Sequence, residues 1–106
     1  MSSSSPKCTI TVLKRTLNQD LIEAYLQNPS EHPGMCGAFQ EGQVFNVDQI
    51  WQAPEGFCSW AWADIRKEIL LAAGGGVYPG IEKPGVVIAG CSDWFRPVIF
   101  KVEKVE

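Results

Sequence analysis

Alternating apolar and polar residues predict a β-strand at each end of the chain. The segment 8-CTITVLKRT-16 is rich in β-branched residues, and 96-RPVIFKVEKV-105 repeats the same two-residue period. Every second side chain of a strand points to the same face, so one face of each segment is apolar. The residues predicted to face inward are Cys8, Ile10 and Val12 in the first strand and Val98, Phe100 and Val102 in the last.

Two further segments have strand character with different patterns. In 43-QVFNVD-48, Phe45 and Val47 are separated by one polar residue and are predicted to face inward. The run 86-VVIAGC-91 is apolar without alternation, a pattern typical of a strand that is covered on both faces. Only a short turn separates this run from the last strand, so the two are predicted to form a hairpin.

Two segments have the spacing of amphipathic helices. The first, 18-NQDLIEAYL-26, is predicted to begin with Asn18 as its N-cap. The second is predicted over 60–73, with Ser59 as its cap. Three consecutive glycines, 74–76, then end this longer helix.

The predicted order of elements is β-α-β-α-β-β, which indicates an α+β fold. The simplest architecture is a small antiparallel or mixed sheet with one main helix packed on a face. Residues 1–6 are predicted to be a disordered leader, and residues 7–106 a single domain. The loop over 29–42 is rich in Pro and Gly, and a loop of this length is uncommon in a compact domain unless it has a function.

The charge of the chain excludes several classes of partner. Nine Lys and Arg residues against twelve Asp and Glu residues give a net charge of -3, which argues against nucleic acid and against anionic membranes. No segment has the apolar length of a membrane span, and the polar start of the chain predicts no secretory signal. We therefore expect a cytoplasmic protein, in which cysteines stay reduced.

Three of the four cysteines lie where a site is expected to form. Cys58 precedes the longer predicted helix, whose positive end favours a thiolate. Cys91 ends the apolar strand, and strand ends often share one rim of a sheet with helix starts. Cys36 lies in the long loop, which can fold over the same rim. Cys8 is instead predicted to be a small core residue, because its strand face is apolar.

These positions suggest a metal centre formed by Cys36, Cys58 and Cys91. A soft or borderline ion (zinc, iron or copper) suits thiolate ligands. His32, the single histidine, or Asp64 is a candidate to complete the ligand set, and Cys₃His is a common zinc set. The cysteines are 22 and 33 residues apart and match no C-x-x-C motif, so each also has a plausible structural role. A solvated loop residue is the alternative for His32.

Tryptophans are the second candidate feature, because four are present in a short chain. Trp62 belongs to the apolar stripe of the longer helix and is predicted to be a core residue. Trp60 lies on another side of that helix, near Cys58, and Trp94 lies beside Asp93. Both are predicted to line a cofactor or ligand pocket, although exposed aromatic residues are also common at dimer interfaces.

Asp93 and Arg96 bracket two aromatic residues in 91-CSDWFRP-97. An arginine in this position can clamp a carboxylate ligand, and an aspartate can act as an acid or base. The structural alternative is that Asp93 stabilises the turn by accepting backbone hydrogen bonds.

The chain resembles a small family of short proteins that occur mainly in anaerobic prokaryotes, with some fungal members, and that have no assigned function. The similar blocks are 10-ITVLKRTLNQDL-21, 36-CGAFQEGQVF-45, 55-EGFCSWAWADI-65 and 91-CSDWFRPVIFKVE-103. They span most of residues 10–103, and GFCSWAW is the most distinctive of them. The resemblance implies a shared site but no particular reaction.

The family pattern includes the three cysteines of the expected site but not reliably Cys8, and it includes Asp93 and Arg96. This chain departs from the pattern at Gly37, where the family tends to have proline, and at Trp94, where it tends to have glycine. The resemblance therefore implies that Trp94 alters the pocket in this chain.

Three hypotheses of function follow from the sequence. The first is a cysteine-centred metalloprotein, an enzyme acting on a small organic anion, with Cys58 as a catalytic or metal-binding thiolate. The second is a metal-free lyase, isomerase or cyclase that uses Asp93 and Arg96 in a tryptophan-lined pocket. The third is a non-catalytic binding or accessory module. A homodimer is expected in each case.

Overall fold

The computed structural model of the protein describes residues 6–31 and 34–105. It confirms the predicted order of helices and strands and the α+β class, and it adds one short 3₁₀ turn. The elements are β1 (Cys8–Arg15), α1 (Gln19–Tyr25), the 3₁₀ turn (Pro29–Glu31), β2 (Val44–Val47), α2 (Ser59–Ala73), β3 (Val86–Gly90) and β4 (Val98–Lys104).

The four strands form one antiparallel sheet in the order β2-β1-β4-β3. The hairpin of β3 and β4 is as predicted, and α2 packs across one face of the sheet. The prediction that both faces of β3 are covered is wrong. Val87 and Ala89 are buried, but Ile88 is 45% exposed. β3 is an edge strand of the sheet, and its face opposite α2 is exposed to solvent.

Aromatic rings form the centre of the core between α2 and the sheet. Phe39, which lies in the long loop, is 2% exposed. Its ring centroid lies 5.1 Å from that of Phe57, just before α2, and 5.1 Å from that of Phe100 on β4. Trp62 packs edge-on against Phe57, so its predicted core position is confirmed. The loop is therefore anchored in the core.

A β-bulge in β1 changes which residues face the helix side of the sheet. Val12 pairs with Phe100, but the next pair is Lys14 with Ile99, so Leu13 has no partner of its own on β4. Arg15 then pairs with Val98, which is fully buried on the side of α2. Directly paired residues share a face of the sheet, so the bulge brings Arg15 to the helix side.

The helix starts differ from the prediction in their capping. Asn18 is the residue before α1, but its side chain makes no cap and donates instead to the Trp94 carbonyl. The main helix begins at Ser59, which makes Cys58 the N-cap residue. Gly74 ends α2, and Gly75 follows with a φ of 74°, so the predicted glycine stop is confirmed.

Residues 1–5 of the predicted leader lie outside the described residues. Across 6–31 and 34–105, no helix is both long enough and apolar enough to cross a bilayer.

The buried thiol of Cys8 should make stability depend on pH in alkaline solution. Burial raises the pKa of Cys8 from 9.0 to about 11. The unfolded chain therefore loses this proton first, and the free energy of unfolding should fall between about pH 9 and about pH 11. The loss should be on the order of 2 kcal/mol. Urea denaturation under reducing conditions, at pH values across this range, measures it.

Cys8→Ala should lower stability at neutral pH but should lack this part of the alkaline loss. Ile10→Val is a suitable control, because it alters the same buried face without removing a titratable group. Equal pH dependence in Cys8→Ala and Ile10→Val would contradict the prediction.

Candidate functional site

One cavity of about 630 Å³ lies at the rim where β1 and β3 end and where β2 and β4 begin. Its walls come from the end of α1, the long loop, the start of α2 and the β3–β4 turn, and they are mostly apolar. The lining residues are Leu26, Cys36, Gly37, Ala38, Phe39, Cys58, Trp60, Ala61, Cys91, Ser92, Asp93, Trp94, Phe95 and Arg96.

The cavity brings together nearly all of the residues predicted to form a site. The predicted site residues that line it are Cys36, Cys58, Cys91, Trp60, Trp94, Asp93 and Arg96. His32 lies outside the described residues. Asp64 does not line the cavity but contacts a residue that does.

The three thiols of the cavity have different surroundings. All are free, and Cys91 is buried whereas Cys36 and Cys58 are half-buried. The Cys91 Sγ accepts a hydrogen bond from the Val98 N–H at 3.4 Å, and the Cys36 Sγ accepts one from the Ala38 N–H at 3.4 Å. Cys58 makes no side-chain capping bond at the start of α2. Its thiol is thus less constrained than that of Cys91.

These thiols share a cavity without forming a ligand set. In the described part of the chain, no three His, Cys, Asp or Glu side chains are grouped closely enough to hold one metal ion. An ion bound by Cys36, Cys58 and Cys91 would therefore have to draw the three sulfurs closer together than they lie here.

A chain of hydrogen bonds joins α2 to the end of β3. The Asp64 Oδ2 accepts from the Ser92 backbone N–H at 2.7 Å and from the Ser92 hydroxyl at 2.9 Å. The Ser92 Oγ in turn accepts from the Trp60 Nε1–H at 3.0 Å. Ser92 was not among the predicted site residues, and only its position next to Cys91 could have suggested it.

Asp93 and Arg96 form the turn between β3 and β4. The Asp93 Oδ1 accepts from the backbone N–H groups of Phe95 at 3.1 Å and Arg96 at 3.2 Å, which is the turn contact predicted as the structural alternative. The Asp93 Oδ2 lies 3.6 Å from the Arg96 Nε. Asp93 therefore shapes the turn, and its carboxylate lies near the Arg96 guanidinium.

Arg15 is a second residue outside the predicted site, because the bulge in β1 cannot be read from the alternation of its residues. Its Nη1 donates to the Cys36 carbonyl at 3.0 Å, and its Nε donates to the Glu41 Oε1 at 3.0 Å. Backbone N–H groups of Glu41 and Arg15, aided by the guanidinium, hold the pKa of the Glu41 carboxyl below its usual value. Arg15 thus ties the Cys36 loop to the sheet.

Comparison of this chain with protein-family models, with curated proteins and with solved structures finds no match. The family resemblance described above therefore stays a prediction from the sequence.

Removing the Arg15 contact should expose Cys36. In Arg15→Met the hydrogen bond to the Cys36 carbonyl is lost, which frees the loop and should raise the rate of Cys36 alkylation about fivefold, as expected for the loss of about 1 kcal/mol. Native-state labelling with iodoacetamide, followed by peptide mass spectrometry, measures the rate at each cysteine.

Lys14→Met is the matched control, because Lys14 pairs with Ile99 and lies on the opposite face. Cys91 is an internal reference in both variants. An unchanged rate at Cys36 in Arg15→Met, or an equal rise in Lys14→Met, would show that Arg15 does not hold the loop.

Proposed function

We propose that the protein binds a small organic anion in this cavity, with Arg96 as its cationic anchor, and acts on it as a small-molecule enzyme. The observation that carries this proposal is that one mostly apolar cavity is lined by Arg96, by aromatic side chains and by three thiols. An apolar pocket with a few convergent polar groups is typical of small-molecule sites.

Arg96 is suited to bind an anion despite the nearby carboxylate. Its side chain is 32% exposed, and its Nε is 3.6 Å from the Asp93 Oδ2, which is longer than a hydrogen bond. A guanidinium has five N–H donors in a planar fork. The Asp93 Oδ1 is occupied by backbone donors, so Asp93 offsets only part of the charge and leaves other donors of Arg96 for a ligand.

Cys58 is the best candidate for chemistry on a bound ligand. It lines the cavity, it is half-buried, and it stands at the start of α2, where the helix dipole favours negative charge. An acid–base role for Asp93 is less well supported, because its carboxylate already accepts two backbone hydrogen bonds. The proposed enzyme therefore uses Arg96 for binding and a thiol for reaction.

The anchoring role of Arg96 predicts a preference for carboxylates over their amides. Benzoate should perturb the protein's NMR signals around the cavity at lower concentration than benzamide. Arg96→Met, which retains an apolar stem, should weaken benzoate binding about tenfold, as expected for a lost charge-assisted hydrogen bond. Titration followed by ¹H–¹⁵N spectra measures both affinities.

Arg66→Met is the control for loss of an arginine, because Arg66 stacks on Trp62 at 5.3 Å and does not line the cavity. It should leave the affinity for benzoate unchanged. If benzoate and benzamide bind equally well, or if Arg66→Met weakens benzoate binding as much as Arg96→Met does, the proposed anchor is wrong.

A metal centre is the second candidate, and the shared cavity of Cys36, Cys58 and Cys91 favours it. Cobalt(II) added under anaerobic conditions should then produce the strong near-ultraviolet absorption of thiolate coordination, saturating at about one ion per chain. Cys58→Ser should reduce this absorption, whereas Cys8→Ser should not, because Cys8 is a core residue away from the cavity. Absence of the absorption band in the wild-type protein would exclude a thiolate centre for this ion.

A further inference from the structure

We infer that the anion bound in the cavity is flat and aromatic, and that Asp64 acts through Ser92 to hold the Trp60 ring as the surface on which it stacks. This inference rests on the proposed function, because it names the class of ligand for the same cavity. It concerns Asp64 and Ser92 as positioning residues and Trp60 as a binding residue.

The position of Trp60 is unusual for an exposed side chain. Trp60 is 65% exposed, yet its indole Nε1–H is tied to the Ser92 Oγ at 3.0 Å. An exposed aromatic side chain normally retains rotamer freedom, which binding must then restrict at a cost in free energy. A ring already held at the cavity wall avoids part of that cost.

The Ser92 hydroxyl, with its hydrogen bond from the Trp60 indole N–H, is called the tether here, and Asp64 holds it through two hydrogen bonds. Asp64 accepts both the backbone N–H and the hydroxyl of Ser92, at 2.7 Å and 2.9 Å. With its proton directed to a carboxylate, the hydroxyl presents lone pairs to the indole N–H. Asp64 therefore determines the orientation of the hydroxyl, and through it that of the ring. Because Asp64 does not line the cavity, its effect on a ligand is indirect.

The rest of the lining favours an aromatic ligand over a saturated one. Four aromatic side chains, Phe39, Trp60, Phe95 and Trp94, share the cavity. Trp94 is 67% exposed, and its backbone carbonyl accepts from the Asn18 Nδ2 at 2.6 Å, so its main chain is also fixed. Aromatic pairs contribute about 1 kcal/mol beyond the burial of their area. Arg96 supplies the charge for a carboxylate on such a ring.

Two carboxylates of similar size separate the inference from the proposed function. Benzoate and cyclohexanecarboxylate carry the same charge, but only benzoate has a flat ring. Benzoate should bind about fivefold more tightly to the wild-type protein, which corresponds to the aromatic contribution of about 1 kcal/mol. In Trp60→Leu, which keeps an apolar side chain, most of this difference in affinity should be lost.

Variants of the tether test the positioning role. Ser92→Ala removes the hydroxyl and should abolish most of the preference for benzoate, whereas Ser92→Thr keeps a hydroxyl and should retain it. Asp64→Asn should reduce the preference, and Glu68→Gln, one turn further along α2, should not. The Trp60 indole N–H resonance, assigned by its absence in Trp60→Leu, should shift in Ser92→Ala and Asp64→Asn and stay in place in Glu68→Gln.

The outcomes distinguish the two claims. If both carboxylates bind equally to the wild-type protein while benzamide binds weakly, the aromatic ligand class is wrong and the proposed anion site stands. If neither carboxylate binds, the proposed function fails and this inference fails with it. If the preference for benzoate survives in Ser92→Ala, the positioning role of Asp64 and Ser92 is overturned.

Discussion

Burial of the Phe39 ring is the contact on which the candidate site depends. Its neighbours Phe57 and Phe100 belong to the segment before α2 and to β4, so one ring joins the long loop, the main helix and the centre of the sheet. Removing an aromatic ring of this kind from a core typically costs about 3–5 kcal/mol. A loop anchored in this way can act as a wall of a cavity, which a solvated loop of the same length could not do.

Polar contacts then set the positions that apolar packing leaves free. Asp64 joins α2 to Ser92 at the end of β3, and Arg15 joins β1 to the carbonyl of Cys36. Each such bond contributes on the order of 1 kcal/mol or less to stability. Their effect is geometric: they place one indole ring and one loop relative to the sheet. Apolar packing thus provides most of the stability of the site, and the weaker hydrogen bonds orient its side chains and its loop.

Much of the site could be predicted because its residues lie at element boundaries. Cys58 precedes a helix and Cys91 follows the next strand along the chain, and both line the cavity at one rim of the sheet. Arg15 could not be predicted, because a strict alternation would have placed Lys14 on the helix side, and the bulge at Leu13 reverses this. Ile88 was misread because apolar composition does not reveal that a strand lies at an edge.

The sequence by itself determined the class of fold and the order of its elements, because two-residue and four-residue periods and glycine stops act locally along the chain. Its element boundaries also indicated the three cysteines as candidates for one rim of the sheet. Only the tertiary structure decided how those groups relate: three thiols in one cavity without a grouped ligand set, Asp93 committed to a turn, and Asp64 bonded to Ser92. Such distances depend on strand register, on a bulge and on packing between residues far apart in the chain, and no local pattern encodes them.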